Sequence, residues 1–211
     1  MLQCLHRRVL PSCSVQCVLK PSSFVLQRQL NTSACLQPSK NDATVFDKFT
    51  HLDHSGEAKM VSIASKPSAS RIAVAAATVH FSSSSQSTSQ LISAAASKKG
   101  DILAVARVAG IQAAKQTSTL IPLCHNIPIS SVHVNIDVKD GKVDVECRVE
   151  CTGSTGVEME ALCGVMGASL CVYDMCKSVD KGMHIEGVRV IEKRGGKSGD
   201  WVDGKQVSSP P

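Results

Sequence analysis

Between Ala161 and Tyr173 the chain runs for thirteen residues without a charge, inside the segment "GVEMEALCGVMGASLCVYDMCK". We read this segment, from Gly156 to about Lys177, as the longest helix of the protein. A helix that is apolar all round has to be buried on nearly every side, here against a sheet and a partner helix. Its charges sit only at the ends, Glu158 and Glu160 at the start and Asp174 and Lys177 at the finish. The fold therefore has to be built around this element.

The rest of the pattern supplies its surroundings. "KMVSIAS" and "SRIAVAAATVHFS" are rich in Val, Ile and Ala and read as strands. "GDILAVARVAGIQAAKQTSTLIP" predicts a helix over about 101–118. Asp101 caps its start, Ile102, Val105, Ala109 and Ala113 recur on one face, and Pro122 ends it. "IPISSVHVNIDVKD" and "KVDVECRVECTG" follow as a hairpin turning at Asp140-Gly141, with Val132, Val134, Ile136 and Val138 alternating with polar residues. A short helix is expected from about Ser87 to Ser97, and a last strand in "MHIEGVRVIEKR". Strands and helices mix without regular alternation, which points to an α+β sandwich with an antiparallel sheet and helices packed on one face. Aromatic residues are only 3% of the 211-residue chain, so the core has to be made of small aliphatic side chains. Each buries little area, and such a core gains from burying a subunit interface as well, so an oligomer is expected.

The net charge of +5 belongs to one end. Residues 1–41 hold Arg7, Arg8, Lys20, Arg28 and Lys40 and no acid; without those five, 18 basic residues face 18 acidic ones. A neutral body argues against a basic surface for nucleic acid. The 1–41 segment, rich in Ser and Arg and without a continuous apolar run, fits a mitochondrial leader that is removed on import, ahead of a single domain over 42–211 with a flexible C-terminal tail. It contains no membrane span. Four of the ten cysteines lie in that leader; the other six form no C-x-x-C pair and read as buried free thiols.

Several short stretches bear on chemistry. In "SKKGDI", Lys99 stands before a helix N-terminus, where an anion is favoured. In "LIPLCHNIPIS", His125 reads as a ligand-facing donor or proton carrier and Cys124 as packing or backbone. His51, His54, His80, His133 and His184 have no companions at metal-ligand spacing, and no metal site is expected. Glu158 and Glu160 differ by two positions, so at most one is expected to face a given site. "GGKSGD" is not a P-loop, because Ile191 stands where the first glycine belongs. It is a glycine-rich loop beside Lys193, Arg194 and Lys197, equally readable as a solvated tail or as a cradle for a small phosphate compound. If 158–177 is one helix, Glu160 and Asp174 lie about 21 Å apart along its axis. Either one end alone is functional, or a two-fold interface joins one copy's first turn to another's last.

Taken together and in this order, "KGDILAVARVAGIQAAKQTSTLIPLCHNIPIS", "TGSTGVEMEALCGV", "VYDMCKSVDKGM" and "GGKSGD" closely resemble the cyclic pyranopterin monophosphate synthase family of molybdenum cofactor biosynthesis, from about Phe49 to about Trp201. The resemblance implies a ferredoxin-like subunit, a hexamer built as a trimer of dimers, and active sites at dimer interfaces. It also implies a cyclised dihydroguanosine triphosphate as substrate, cyclic pyranopterin monophosphate and diphosphate as products, and no metal or organic cofactor. By the same motifs the family's catalytic aspartate falls on Asp174, its partner lysine on Lys177 and a second active-site lysine on Lys99. Substrate contacts fall on Leu123, Cys124, His125, Met159 and Glu160. Lys193 and Lys197 match the basic tail loop, and Arg71 an arginine near the triphosphate. The chain departs from the family at Ser62, where Asp is common, and in "SSSSQSTSQ" and "SKKGD". Two other readings remain open, an idle nucleotide-binding oligomer and a structural mitochondrial protein.

Overall fold

In the computed structural model, residues 49–82, 101–139, 141–203 and 205–207 are described, all within the unit Pro38–Pro211. The 1–41 segment, the helix expected at Ser87–Ser97 and Lys99 lie outside the described residues. The elements are β1 (Ala69–His80), α1 (Ile102–Lys115), the short α2 (Thr117–Leu120), β2 (Ile129–Lys139), β3 (Lys142–Gly153), α3 (Glu158–Cys176), β4 (His184–Arg194), β5 (Asp200–Val202) and β6 (Lys205–Val207). Every strand pairing is antiparallel, and the sheet order is β2-β3-β1-β4-β5-β6. The first four strands and the two long helices form the split βαβ arrangement of a ferredoxin-like sandwich.

Alternation sets the inner face of the sheet. Ala73, Ala75, Ala77 and Val79 of β1 and Val143, Val145, Cys147, Val149 and Cys151 of β3 are buried under the helices. The hairpin turns where the sequence places it, with Gly141 at φ 75°. The long uncharged helix also forms, with Ala161, Val165, Ala168 and Val172 fully buried. Its length and apolarity alone would let it cross a membrane. Here that apolarity is spent against the sheet and α1.

The contact between α1 and α3 is made by small residues. A Cβ on Gly110 would stand 2.9 Å from the Gly164 carbonyl oxygen and 3.1 Å from Ala168 Cβ. Gly164 in turn lies against the Cys147 side chain of β3, and Gly167 against Ala113 of α1. This corrects the expected stripe on α1. The buried residues are Ile102, Ala106, Gly110 and Ala114, one every four positions, whereas Val105 is 46% exposed. At such an approach only small side chains fit between the axes, so the bulkier valine is turned outward.

Three other expectations are corrected. The helix over 101–118 is two helices, broken at Gln116, because the Thr117 hydroxyl donates to the Ala114 carbonyl at 2.9 Å and competes with the helical ladder. Asp101 does cap α1, accepting from the Ala104 N–H at 2.9 Å. "KMVSIAS" forms no strand. Both edges of β1 are occupied by β3 and β4, so the segment finds no free edge there, and Pro67 interrupts its approach to β1. The expected flexible tail contributes β5 and β6, which extend the sheet beyond β4. The six cysteines of the body are free, four buried and two half-buried, and burial pushes the Cys147 thiol up to about 12.

The end of β1 is tied to the loop after α3 by one buried carboxylate. Asp180, 3% exposed, accepts from the Ser82 N–H at 2.8 Å, the Ser82 hydroxyl at 2.9 Å and the Gly182 N–H at 2.9 Å. The helix contact gives the sharper test. Gly110→Ala improves helix propensity by about 1 kcal/mol, yet its methyl meets backbone that has nowhere to go. We expect net destabilisation of about 1–3 kcal/mol in urea unfolding; a neutral or stabilised variant would show that α1 and α3 are free to separate.

Candidate active site

The N-terminal end of α3 opens onto two adjoining clefts. The first, about 230 Å³, is bordered by Leu123, Cys124 and His125 from the α2–β2 connector, by Met159 and Glu160 of α3, and by Thr50, His51, Val61 and Ile63 from the segment before β1. The second, about 620 Å³, is bordered by Arg71 of β1, Lys193 of β4, Lys197 and Ser198 of the glycine-rich loop, and Ser154. Lys66, Thr155, Gly156 and Glu158 border both. Five of the expected substrate contacts thus meet in one cleft and the expected phosphate-binding cations in its neighbour.

Local structure explains how each group is held. Arg71 is 9% exposed, and its Nε donates to the Gly153 carbonyl at 3.2 Å. Gly196, at φ 98°, lies so close to that guanidinium that a Cβ would collide with it. The loop is closed by the Gly195 N–H, which donates to Asp200 at 2.7 Å. Lys193 forms an ion pair with Glu158 at 2.7 Å and donates to the Ser198 hydroxyl at 3.1 Å. Arg194 pairs instead with Glu192 of its own strand. The second cleft holds four cationic side chains against one acid, Glu158. Val157, at the cap position of α3, makes no side-chain cap bond, so the helix terminus adds its own positive end to this wall.

The first cleft has a different character. Glu160 is 3% exposed, and burial, reinforced by Glu158, pushes its carboxyl up to about 6. Burial, with a smaller effect from Glu160, also raises the Cys124 thiol, which makes it an inert wall. The expectation that only one of Glu158 and Glu160 faces a site is corrected, since both border this cleft. Glu158 is the first residue of the helix, and its carboxylate folds back against Gly156. His51, Thr50, Lys66 and Thr155 were missed by sequence reading. They come from irregular segments whose spacing carries no period.

Asp174 and Lys177 lie elsewhere. Lys177 Nζ donates to Asp174 Oδ1 at 2.5 Å, with side chains 55% and 63% exposed. The Asp174 contact holds the lysine above its usual range. They stand at the C-terminal end of α3, Lys177 at its cap and Asp174 fourteen residues from Glu160, or about 21 Å of helix, and border neither cleft.

Glu160 gives a prediction with a sign. Its folded value lies above the ordinary 4.5, so the native state holds its proton longer than the unfolded chain does. Its contribution is most favourable below 4.5, falls as pH rises through about 6, and stays unfavourable above that. Glu160→Gln keeps the shape without the charge, and should raise stability at neutral pH by about 2 kcal/mol and flatten the pH 4.5–6 slope while lowering activity. An unchanged melting profile across that range would contradict a buried, uncompensated carboxyl.

Comparison with known proteins identifies the family. Residues 60–196 match the MoaC family. The chain is 51% identical over 157 residues to the cyclic pyranopterin monophosphate synthase of Chloroflexus aggregans, covering 74% of this chain and 93% of that one. It is 51% identical over 156 residues to the enzyme of the same name from Thermomicrobium roseum, covering 73% and 92%. For Natranaerobius thermophilus the figures are 48% over 156 residues, 73% and 96%. The matched region contains both clefts apart from Thr50, His51, Lys197 and Ser198, together with Asp174 and Lys177, and the chain belongs to the MoaC family.

Proposed function

We propose that this protein is a cyclic pyranopterin monophosphate synthase, a lyase that converts the cyclised dihydroguanosine triphosphate to cyclic pyranopterin monophosphate and diphosphate in molybdenum cofactor biosynthesis. The observation that carries the reading is the pairing of the two clefts. One is cationic and sized for a phosphate chain; the other, continuous with it, holds a buried protonable carboxyl beside His125. Arg71, Lys66, Lys193 and Lys197 balance the charge that moves onto diphosphate as a ribose oxygen closes onto the α-phosphorus. The hydroxyl proton leaves to a base as the P–O bond to diphosphate breaks. Opening the purine ring and rebuilding it as a pyranopterin moves further protons among nitrogens and a carbonyl, which calls for acid–base groups at the other end of the substrate.

In this reading Asp174 and Lys177 supply that acid–base chemistry and reach the clefts of another copy, while Lys99 joins the cations that hold phosphate. The roughly 21 Å of helix between Glu160 and Asp174 keeps a single chain from bringing both to one substrate. Exposed Val105 and Val108 on α1 and Leu170 on α3 are apolar surface that a second copy would cover. A hexamer of three dimers with shared sites is the assembly we assign, acting without nucleic acid, membrane or added cofactor. The acid-free 1–41 segment supports delivery to the mitochondrial matrix.

The direct test is turnover of the cyclised triphosphate by the purified protein, since tight binding with no product would leave only a nucleotide-binding oligomer. Asp174→Asn and Lys177→Ala should each lose at least about 100-fold in rate with unchanged elution on gel filtration. Mixing Asp174→Asn chains with Glu160→Gln chains should restore about a quarter of the sites if each site draws on two copies. Near-normal product from either single variant would remove the pair from the mechanism, and no recovery on mixing would return both ends to one chain.

A further inference from the structure

The register of the sheet gathers three metal-binding side chains that sequence spacing keeps apart. His80 is the last residue of β1, His184 the first of β4, and the two are direct partners across the ladder. Glu186 stands two residues along β4, so it emerges on the same face as His184. Ile185 between them packs against the core, and Val79 before His80 is fully buried, so all three project from the face turned away from the helices. His80 Nε2 lies 2.7 Å from Glu186 Oε1, and His184 Nε2 lies 3.7 Å from Glu186 Oε2. The imidazoles are stacked with centroids 5.0 Å apart and planes within 11°, which directs both toward one carboxylate. All three donor atoms lie within 4.8 Å of one another. This overturns the expectation that His80 and His184 lack companions.

We propose that His80, His184 and Glu186 bind a divalent transition-metal ion, with zinc the best match to two imidazoles and a carboxylate. Bonds of about 2.0–2.1 Å in a tetrahedral site set its donors roughly 3.3 Å apart, between the 2.7 and 3.7 Å observed here. Each of the two histidine–carboxylate distances is within about half an ångström of that spacing, all three donors lie within 4.8 Å of one another, and one position is left for water. Two neutral imidazoles and one carboxylate present a net negative charge. Lys142, the β3 partner of His80, is already paired with Asp144 at 3.2 Å, so it does not oppose a cation fully. The site stands nine residues along β1 from Arg71, about 30 Å of strand. It is thus separate from the phosphate cleft and does not depend on the proposed reaction. A bound ion clips the end of β1 to the start of β4, two residues before Ser82 and the Asp180 tie.

The test is titration of the chelator-stripped full chain with zinc by calorimetry and with cobalt by visible absorption, beside thermal melts with and without zinc. We expect cobalt bands of nitrogen and oxygen ligation, a rise in melting temperature with zinc, and a loss of affinity of at least about tenfold in His184→Ala and in Glu186→Gln. These two side chains are more than half exposed, so the variants fold even if His80→Ala does not. Zinc affinity and melting shift unchanged in both variants would overturn the site, as would a sulfur-to-cobalt charge-transfer band showing that the ion sits on thiols.

Discussion

The approach of α1 to α3 through Gly110, Gly164 and Gly167 sets the position of everything else. Because these residues present almost nothing between the axes, the helices lie together directly on β3 and β1, and Gly164 meets Cys147 of the sheet. A core with few aromatic residues has to work this way. Small side chains bury little area each, so stability depends on many close contacts without voids. The result is an uninterrupted α3 packed along its length against the sheet and α1. Its first turn faces the clefts, and its far end carries Asp174 and, at the cap, Lys177 on the surface.

What could be read from the sequence follows from how local each signal is. The thirteen uncharged residues gave α3 to within two residues at either end, because complete burial leaves a compositional trace. The Asp101 cap and the Gly141 turn were equally plain, since a cap or a positive φ selects residue type directly. The connector and the glycine-rich loop were legible through long motifs, and they border adjoining clefts. Features created by register were invisible. His80 and His184 are more than a hundred residues apart, and only strand pairing makes them neighbours. The buried face of α1 was misread for a related reason, because which apolar residue points inward was decided by the size of the gap, and that depends on α3. "KMVSIAS" has strand composition but no sheet edge to join. Composition describes what a segment favours, while topology decides whether a partner exists.

The electrostatics of the clefts show the same division between local preference and global use. An acid at the start of a helix is ordinarily favourable, and Glu158 conforms by pairing with Lys193. Glu160, two residues on, is carried inward by the turn of the helix and loses its water. The helix end does not offset that desolvation, and the carboxyl is left holding its proton up to about pH 6. A fold selected only for stability has a simple remedy, an amide at that position. As it stands, Glu160 sets a protonable group in one cleft beside the cationic wall of the next.

Asp174 and Lys177 present the reverse case. Their pairing in water holds the lysine above its usual range, and a lysine so placed exchanges protons poorly near neutral pH. Exposure also makes the pair worth little to the fold. Neither property suits a catalytic role in an isolated chain. In the proposed assembly, covering by a second copy would reverse the first, because desolvation disfavours the ammonium. The unsuitability of the pair in one chain and the reach of α3 thus lead to the same requirement. On the proposed function, Asp174 and Lys177 become useful once another copy's clefts close over them.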